Sequence, residues 1–296
     1  MNLSLEAILA DHQSGSELIT RKAMELYKQR LVEGQAAGDD VQGIFDDLVS
    51  YSKTLIKSQP NMVLLRRQST GLTSFFKRII KSGNKEEVLT LAVEKVEQMI
   101  EEIEENAQKI ASIGSKIIAS SNKVMTISNS TLVRKIFMTI AAQHRRFDVY
   151  NLISHPPGEG KTFAEFLAKN DIKSTIIADS QVGVFLPRMN LVLIGADRLY
   201  KDGFINKAGT LPLCLAAKHH NIPVYLAVET GKILFESERA IKITPQNPDE
   251  VYKSDNKKLS VENVYYEKTP LELVHKIICE NGVFETFEFR EWYLKE

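Results

Sequence analysis

The sequence predicts an α/β protein, a Rossmann-like doubly wound parallel sheet preceded by an all-helical amino-terminal domain. Three observations predict it. Up to about residue 115 the apolar residues recur at helical spacing. Beyond it, short β-prone runs alternate with helix-length segments, the grammar of a parallel sheet covered on both faces. The chain has 296 residues, enough to give each half its own core. The domains are therefore read as 1–115 and 116–296.

The first half is a series of amphipathic helices. "SELITRKAMELYKQRLVEG" puts Leu18, Ile19, Ala23, Leu26, Tyr27 and Leu31 on one face, with Ser16 placed to cap the start. "DVQGIFDDLVSYSKTLIKS" repeats the pattern through Val41, Ile44, Phe45, Leu48, Val49 and Ile56. Pro60 punctuates the chain, and "GLTSFFKRIIKSG" predicts a further helix. The longest helix is "EEVLTLAVEKVEQMIEEIEENAQKIASI", whose apolar face runs from Leu89 through Val96 and Ile103 to Ile110. Its acids Glu101, Glu102, Glu104 and Glu105 read as the solvated back of that helix.

In the second half "KVMTI" is the first strand and "TLVRKIFMTIAAQHR" the helix after it. "FDVYNLI" pairs with "KTFAEFLAKN", and "KSTIIAD" leads to a short element ending at Pro187. "NLVLIGAD" is a buried strand, followed by a reversal at Gly203, the helix "GTLPLCLAAKHH" and the strand "IPVYLAV". Ligands of such folds gather at the carboxyl ends of the strands.

Composition narrows the function. Lys plus Arg and Asp plus Glu both number 38, so no overall field favours nucleic acid or an anionic membrane, and no direct nucleic-acid partner is expected. Cys214 and Cys279 lie at no metal-ligand spacing and make no disulfide framework, which fits a reducing, cytoplasmic setting. The start "MNLSLEAILADHQ" lacks the basic region of a signal peptide, and no apolar run reaches bilayer length. His12, His144, His155 and His275 are scattered, while the adjacent His219 and His220 point different ways on a helix. No metal and no cofactor are expected, and neither a Gly-x-Ser-x-Gly elbow nor a dinucleotide fingerprint is present.

One loop invites an ATPase reading. Gly158-Glu159-Gly160-Lys161-Thr162 ends like a phosphate-binding loop. The full motif needs a glycine five positions before Gly160, where the chain has His155, and Pro156 and Pro157 remove two amide donors. ATP hydrolysis is therefore set aside. Two readings remain open: Gly158 and Gly160 present free amides to an anion with Lys161 adding charge, or the glycines simply let the chain turn.

The most specific stretch is "LVLIGADRLYKDGFINKAGTLPLCLAAKHHNIPVYLAVET", a strand, a Gly-Ala-Asp turn, then Ile-Asn-Lys-x-Gly-Thr and a helix. It resembles the family of the alpha, beta and delta regulatory subunits of translation initiation factor two-B. The methylthioribose-1-phosphate and ribose-1,5-bisphosphate isomerases belong to the same family. "VMTISNST", "SHPPGEGKTFAEFLAKNDIKSTIIADSQVGVFL" and "SDNKKLSVENVYYEKTPLELVHKIICENGVF" extend the similarity across the second domain, and "SGS" at residues 14–16 extends it more weakly into the first. In the closing segment the resemblance implies that the Tyr-x-x-Thr-Pro run precedes the last helix, which would carry Cys279.

The resemblance implies a site. The family's isomerases use an aspartate and a cysteine; the aspartate matches Asp197, and Ser128 stands at the cysteine position. A thiol, with a pKa near ~8.5, trades protons near neutrality, whereas a serine hydroxyl needs an adjacent base. The resemblance therefore implies a non-catalytic regulatory-type subunit, with a sugar-phosphate isomerase as the alternative. Ser128, Asn129 and Ser130 would donate to a phosphate, Asn206 and Lys207 would hold hydroxyls or phosphate from the other side, and Asp197 would accept from a sugar. The plainer reading is that Ser130 caps a helix while Asp197 and Asn206 fix a turn. The expected ligand is a sugar phosphate or nucleoside monophosphate. Expected partners are a second copy, through the Rossmann-like domain, and other initiation-factor subunits.

Overall fold

The computed structural model describes residues 3–11, 14–81, 84–234 and 243–294. They divide into two units, one up to Asn106 and one from Ala107 onward. His12 of the histidine set lies outside the described residues.

The first unit is helical, as its periodicity predicts. It comprises α1 (Leu5–Leu9), α2 (Ser16–Ala37), α3 (Val41–Ser58), α4 (Val63–Ile79) and most of α5 (Lys85–Ser115). Gly38, at φ +75°, ends α2, and the Asp40 carboxylate then caps α3 by accepting from the amides of Gln42 and Gly43. Ser16 is the first residue of α2 rather than its cap; Gly15 holds that place. Ile19, Leu31, Ile44, Leu48, Leu72 and Phe76 are fully buried, each side chain contributing roughly 1.5–3 kcal/mol. Tyr27 is buried among them and donates to Ser69 Oγ at 3.0 Å, which satisfies its hydroxyl.

The second unit is built on a seven-stranded sheet. In chain order its elements are β1 (Lys123–Thr126), α6 (Thr131–Ala142), β2 (Asp148–Leu152), α7 (Glu159–Lys169), β3 (Ser174–Ile177), α8 (Val182–Phe185) and β4 (Leu191–Gly195). Next come β5 (Arg198–Tyr200), β6 (Gly203–Lys207), α9 (Thr210–His219) and β7 (Val224–Ala227). β8 (Tyr266–Pro270), β9 (Lys276–Cys279), β10 (Gly282–Glu285) and α10 (Thr286–Tyr293) complete it. The sheet runs β10-β9-β7-β4-β1-β2-β3, parallel except for the edge strand β10. Numbered among themselves, the parallel strands follow the order 3-2-1-4-5-6 of the doubly wound fold, with the switch point between β1 and β4.

The centre of the sheet is covered on both faces, so β4 is apolar and buried at every position rather than alternating. Val124, Leu191 and Leu193 face the end of α5, α6 and α7, where Phe137 and Phe163 fill the layer. Met125, Val192 and Ile194 face the opposite way, onto Leu213 and Cys214 of α9 and Phe289 of α10. β5, β6 and β8 form a separate antiparallel sheet.

One expected element is corrected. The segment after Thr269-Pro270 is not the last helix: it makes one turn at Leu271–Leu273 and then becomes β9, with Cys279 in the strand. Ile277 and Ile278 are both buried, one on each face of the sheet, and a short run apolar on both sides carries no periodicity that separates strand from helix. The last helix is α10. Among the described residues no helix is long and apolar enough to cross a membrane, and no three His, Cys, Asp or Glu side chains gather as a metal site.

Candidate functional site

Four loops meet at the carboxyl ends of β1, β2, β3 and β4. After β1 the chain turns sharply through Ser128, whose φ of +70° lies in the left-handed region, before α6 starts at Thr131. Ser154, after β2, also has positive φ (+62°). The Ser128 amide donates to Ser154 Oγ at 2.7 Å. Asp179, after β3, accepts from the amides of Ser154 and His155, both at 2.8 Å. The β1, β2 and β3 loops are thus locked to one another by hydrogen bonds that fix the direction of the Ser128 side chain.

That side chain points at an acid. Ser128 Oγ donates to Glu159 Oε1 at 2.9 Å. Glu159 opens α7, is 6% exposed, and its Oε2 stands 3.4 Å from the Lys207 ammonium as an ion pair without a hydrogen bond. Lys207, at the end of β6, is 4% exposed; its Nζ also donates to the Pro156 carbonyl and lies 4.8 Å from the centre of the Tyr265 ring. The Tyr265 hydroxyl meets both oxygens of Glu250, at 2.6 and 2.7 Å, and Asn263 Nδ2 donates to Glu250 at 2.8 Å. The chain from Ser128 to Glu250 is continuous in polar contact.

Burial sets the electrostatics. It pushes the Glu159 carboxyl up from the usual carboxylate range, against the opposing pull of Lys207 and of the Ser128 hydroxyl. It draws the Lys207 ammonium down, against Glu159, Asp179 and Glu250. The Tyr265 and Tyr266 phenols are both pushed up, by burial first and then by the surrounding carboxylates, so both keep their protons.

The sequence-predicted residues divide into two groups. Ser128 and Lys207 join the cluster through Glu159. Asp197 follows β4 and is half-buried; its charge acts on Tyr266, the register partner of Lys207. Ser130 caps α6 by accepting from Val133 N at 3.4 Å, and it lies so close to β4 that a Cβ on Gly195 would fall 2.6 Å from its Oγ. Asn129 Oδ1 accepts from Arg134 Nε at 2.7 Å, and Asn206 Nδ2 donates to Thr210 Oγ1 at 3.0 Å, so both amides have partners within the chain. In the glycine loop, Gly158 (φ +93°) caps α7, Lys161 is exposed, and Gly160 packs on β2, where a Cβ would sit 1.9 Å from the Leu152 carbonyl oxygen. At α9, Glu267 Oε1 accepts from the amides of Gly209 and Leu211, both at 2.7 Å.

Sequence reasoning missed Glu159, Asp179, Glu250 and Tyr265. Glu159 sat inside the glycine loop, with its position as the first residue of a helix after a strand as the available signal. Glu250 and Tyr265 reach Lys207 by long-range folding that no local pattern announces.

A parallel sheet in the order 3-2-1-4-5-6 defines the doubly wound class of α/β domains, and here a polar cluster stands at its switch point. Residues 12–286 match the model of the initiation factor 2 subunit family, and the chain belongs to that family. It is 32% identical over 155 residues to a putative translation initiation factor eIF-2B subunit 2-like protein of Pyrococcus furiosus, covering 52% of this chain and 54% of that one. It is 36% identical over 127 residues to a putative methylthioribose-1-phosphate isomerase of Archaeoglobus fulgidus, covering 40% of this chain and 37% of that one. The crystal structure of the Pyrococcus horikoshii translation initiation factor eIF-2B superposes with a TM-score of 0.79 at 25% identity, covering 95% of each chain. In sequence, the chain spans about half the length of the first of these curated relatives. The relatives thus include both initiation-factor subunits and isomerases.

Proposed function

We propose that this chain is a regulatory-type subunit like those of initiation factor two-B, binding a sugar phosphate or nucleoside monophosphate without turning it over. The observation that carries the reading is Lys207: a buried ammonium at the mouth of the strand ends, beside a serine where the family's isomerases have cysteine. Lys207 would take the phosphoryl group, with Ser128 and Asp197 facing the sugar. Self-association through the Rossmann-like domain, and assembly with other initiation-factor subunits, belong to the same reading.

Thermal unfolding with pentose phosphates, nucleoside monophosphates and MgATP tests it, because a ligand of the folded state raises the midpoint. The expected result is a shift with a pentose phosphate or nucleoside monophosphate that disappears in Lys207→Ala. A shift with MgATP alone would contradict it.

The isomerase alternative is favoured by one contact. Ser128 Oγ has the base a hydroxyl requires, Glu159 at 2.9 Å. Interconversion of a phosphorylated aldose and ketose, abolished in Asp197→Asn, would establish that alternative and displace the non-catalytic reading.

A further inference from the structure

Lys207 is not free to receive an anion as it stands. Its ammonium faces the Glu159 carboxylate at 3.4 Å, and the two together form a neutral buried pair. A phosphate monoester brings about −1.5 to −2 charges at neutral pH. Placed on Lys207 beside an ionised Glu159, it would set two anionic groups against one cation in a buried site, and like charges at that range disfavour ionisation of one of them.

Several acids surround the ammonium, and they differ in the hydrogen bonds each accepts. Asp179 accepts two backbone amides at 2.8 Å. Glu250 accepts from Tyr265 and Asn263. Asp197 is half-buried. Tyr265 and Tyr266 already carry their protons, and His155 in the same loop is exposed. Glu159 differs from all of these: it is nine-tenths buried, receives one side-chain hydrogen bond on Oε1, and its Oε2 has none.

We propose that an anion enters this site together with a proton, which Glu159 takes from solvent onto Oε2. The inference rests on the proposed phosphoryl-ligand reading and adds the chemistry of its capture. Protonation breaks the Lys207–Glu159 ion pair and leaves Lys207 to the incoming oxygens. Ser128 keeps its contact with Oε1, and the new Oε2–H becomes a donor to the anion, which a carboxylate cannot be. The balance is one proton from bulk solvent per anion bound. Burial, which already raises the Glu159 carboxyl, places it partway to that state.

The sign follows from linkage. Because the bound form holds the extra proton, affinity rises as pH falls, by up to about tenfold per pH unit, between the bound-state and free-state values of Glu159. Inorganic sulfate is the probe, since its charge stays fixed over the neutral range where phosphate itself titrates; inorganic phosphate is run beside it. Calorimetric titration of the full chain in two buffers of different ionisation enthalpy counts the protons without any mutation. The expected result is uptake approaching one proton per sulfate on the wild type. In Glu159→Gln, proton uptake is lost and sulfate affinity becomes pH-independent. Sulfate binding to the wild type with no proton uptake and a flat pH profile overturns the proton coupling while the anion site survives, provided Lys207→Ala abolishes it. Failure of both anions to bind the wild type at any pH overturns the anion-site reading as well.

Discussion

Ser128 and Glu159 meet at 2.9 Å although different strand-end loops carry them. The serine amide is held by Ser154 at 2.7 Å, and the glutamate stands against Lys207, so the contact is clamped from both ends. This places a hydroxyl, a carboxyl and an ammonium in consecutive contact at the point where the strand order reverses.

Removing the ammonium should expose the cost of the acid. In Lys207→Met, Glu159 becomes an unpaired buried carboxylate, and the expected loss of stability near pH 7.5 is about 3–5 kcal/mol. Glu159 already sits above the usual range, and losing Lys207 raises it further. A group raised on folding contributes fully below its unfolded value of about 4.3, and that contribution fades as pH rises through the folded value. Acidification should therefore restore part of the loss. Urea unfolding at about pH 5 and about pH 7.5 checks this, and an equal deficit at both contradicts it.

The glycine loop should respond to packing rather than to charge. Gly160→Ala drives a methyl into the Leu152 carbonyl and is expected to cost about 1–3 kcal/mol or more. Lys161→Ala, on an exposed side chain, should stay within about 0.5 kcal/mol. Denaturant midpoints decide between this and a loop whose lysine is structural.

Tyr265→Phe removes the hydroxyl that meets both oxygens of Glu250. The half-buried carboxylate then keeps Asn263 alone among these two partners, at an expected cost of about 1–3 kcal/mol. Limited proteolysis should cut faster within 243–262, where Asn263 also ties the Asn247 carbonyl. Unchanged cleavage would show that Asn263 suffices.

Neither thiol should react in the native protein. Burial pushes Cys214 up to about 12 and Cys279 up to about 11, so thiolate is scarce at mild alkaline pH. A thiol reagent at about pH 8 should label both only after denaturant is added; rapid native labelling of either would refute this.

The fold was largely legible because its signals are local. Helical spacing along α2 to α5 and the alternation of apolar runs from β1 to β7 depend on neighbours a few positions apart. β9 was not legible, since Ile277 and Ile278 are buried on opposite faces and erase the period that would mark a strand. The site was half legible. Ser128 and Lys207 stood out by family resemblance, but Glu159 was overshadowed by the glycines flanking it. β8 pairs with β6 across some sixty residues, and this pairing brings Tyr265 and Glu267 to the site from a part of the chain that looks like loop.

Glu267 carries a last consequence. Its Oε1 fills the amide cradle at the start of α9, the kind of place where a phosphate would otherwise sit. The chain therefore supplies its own tenant for that seat, and on the proposed reading Lys207 is the berth kept for an outside guest. On that reading a molecule with one phosphoryl group would fit, and one with two would have to evict a carboxylate first. Which acids the chain retains around its strand ends would then set the valence of what it admits.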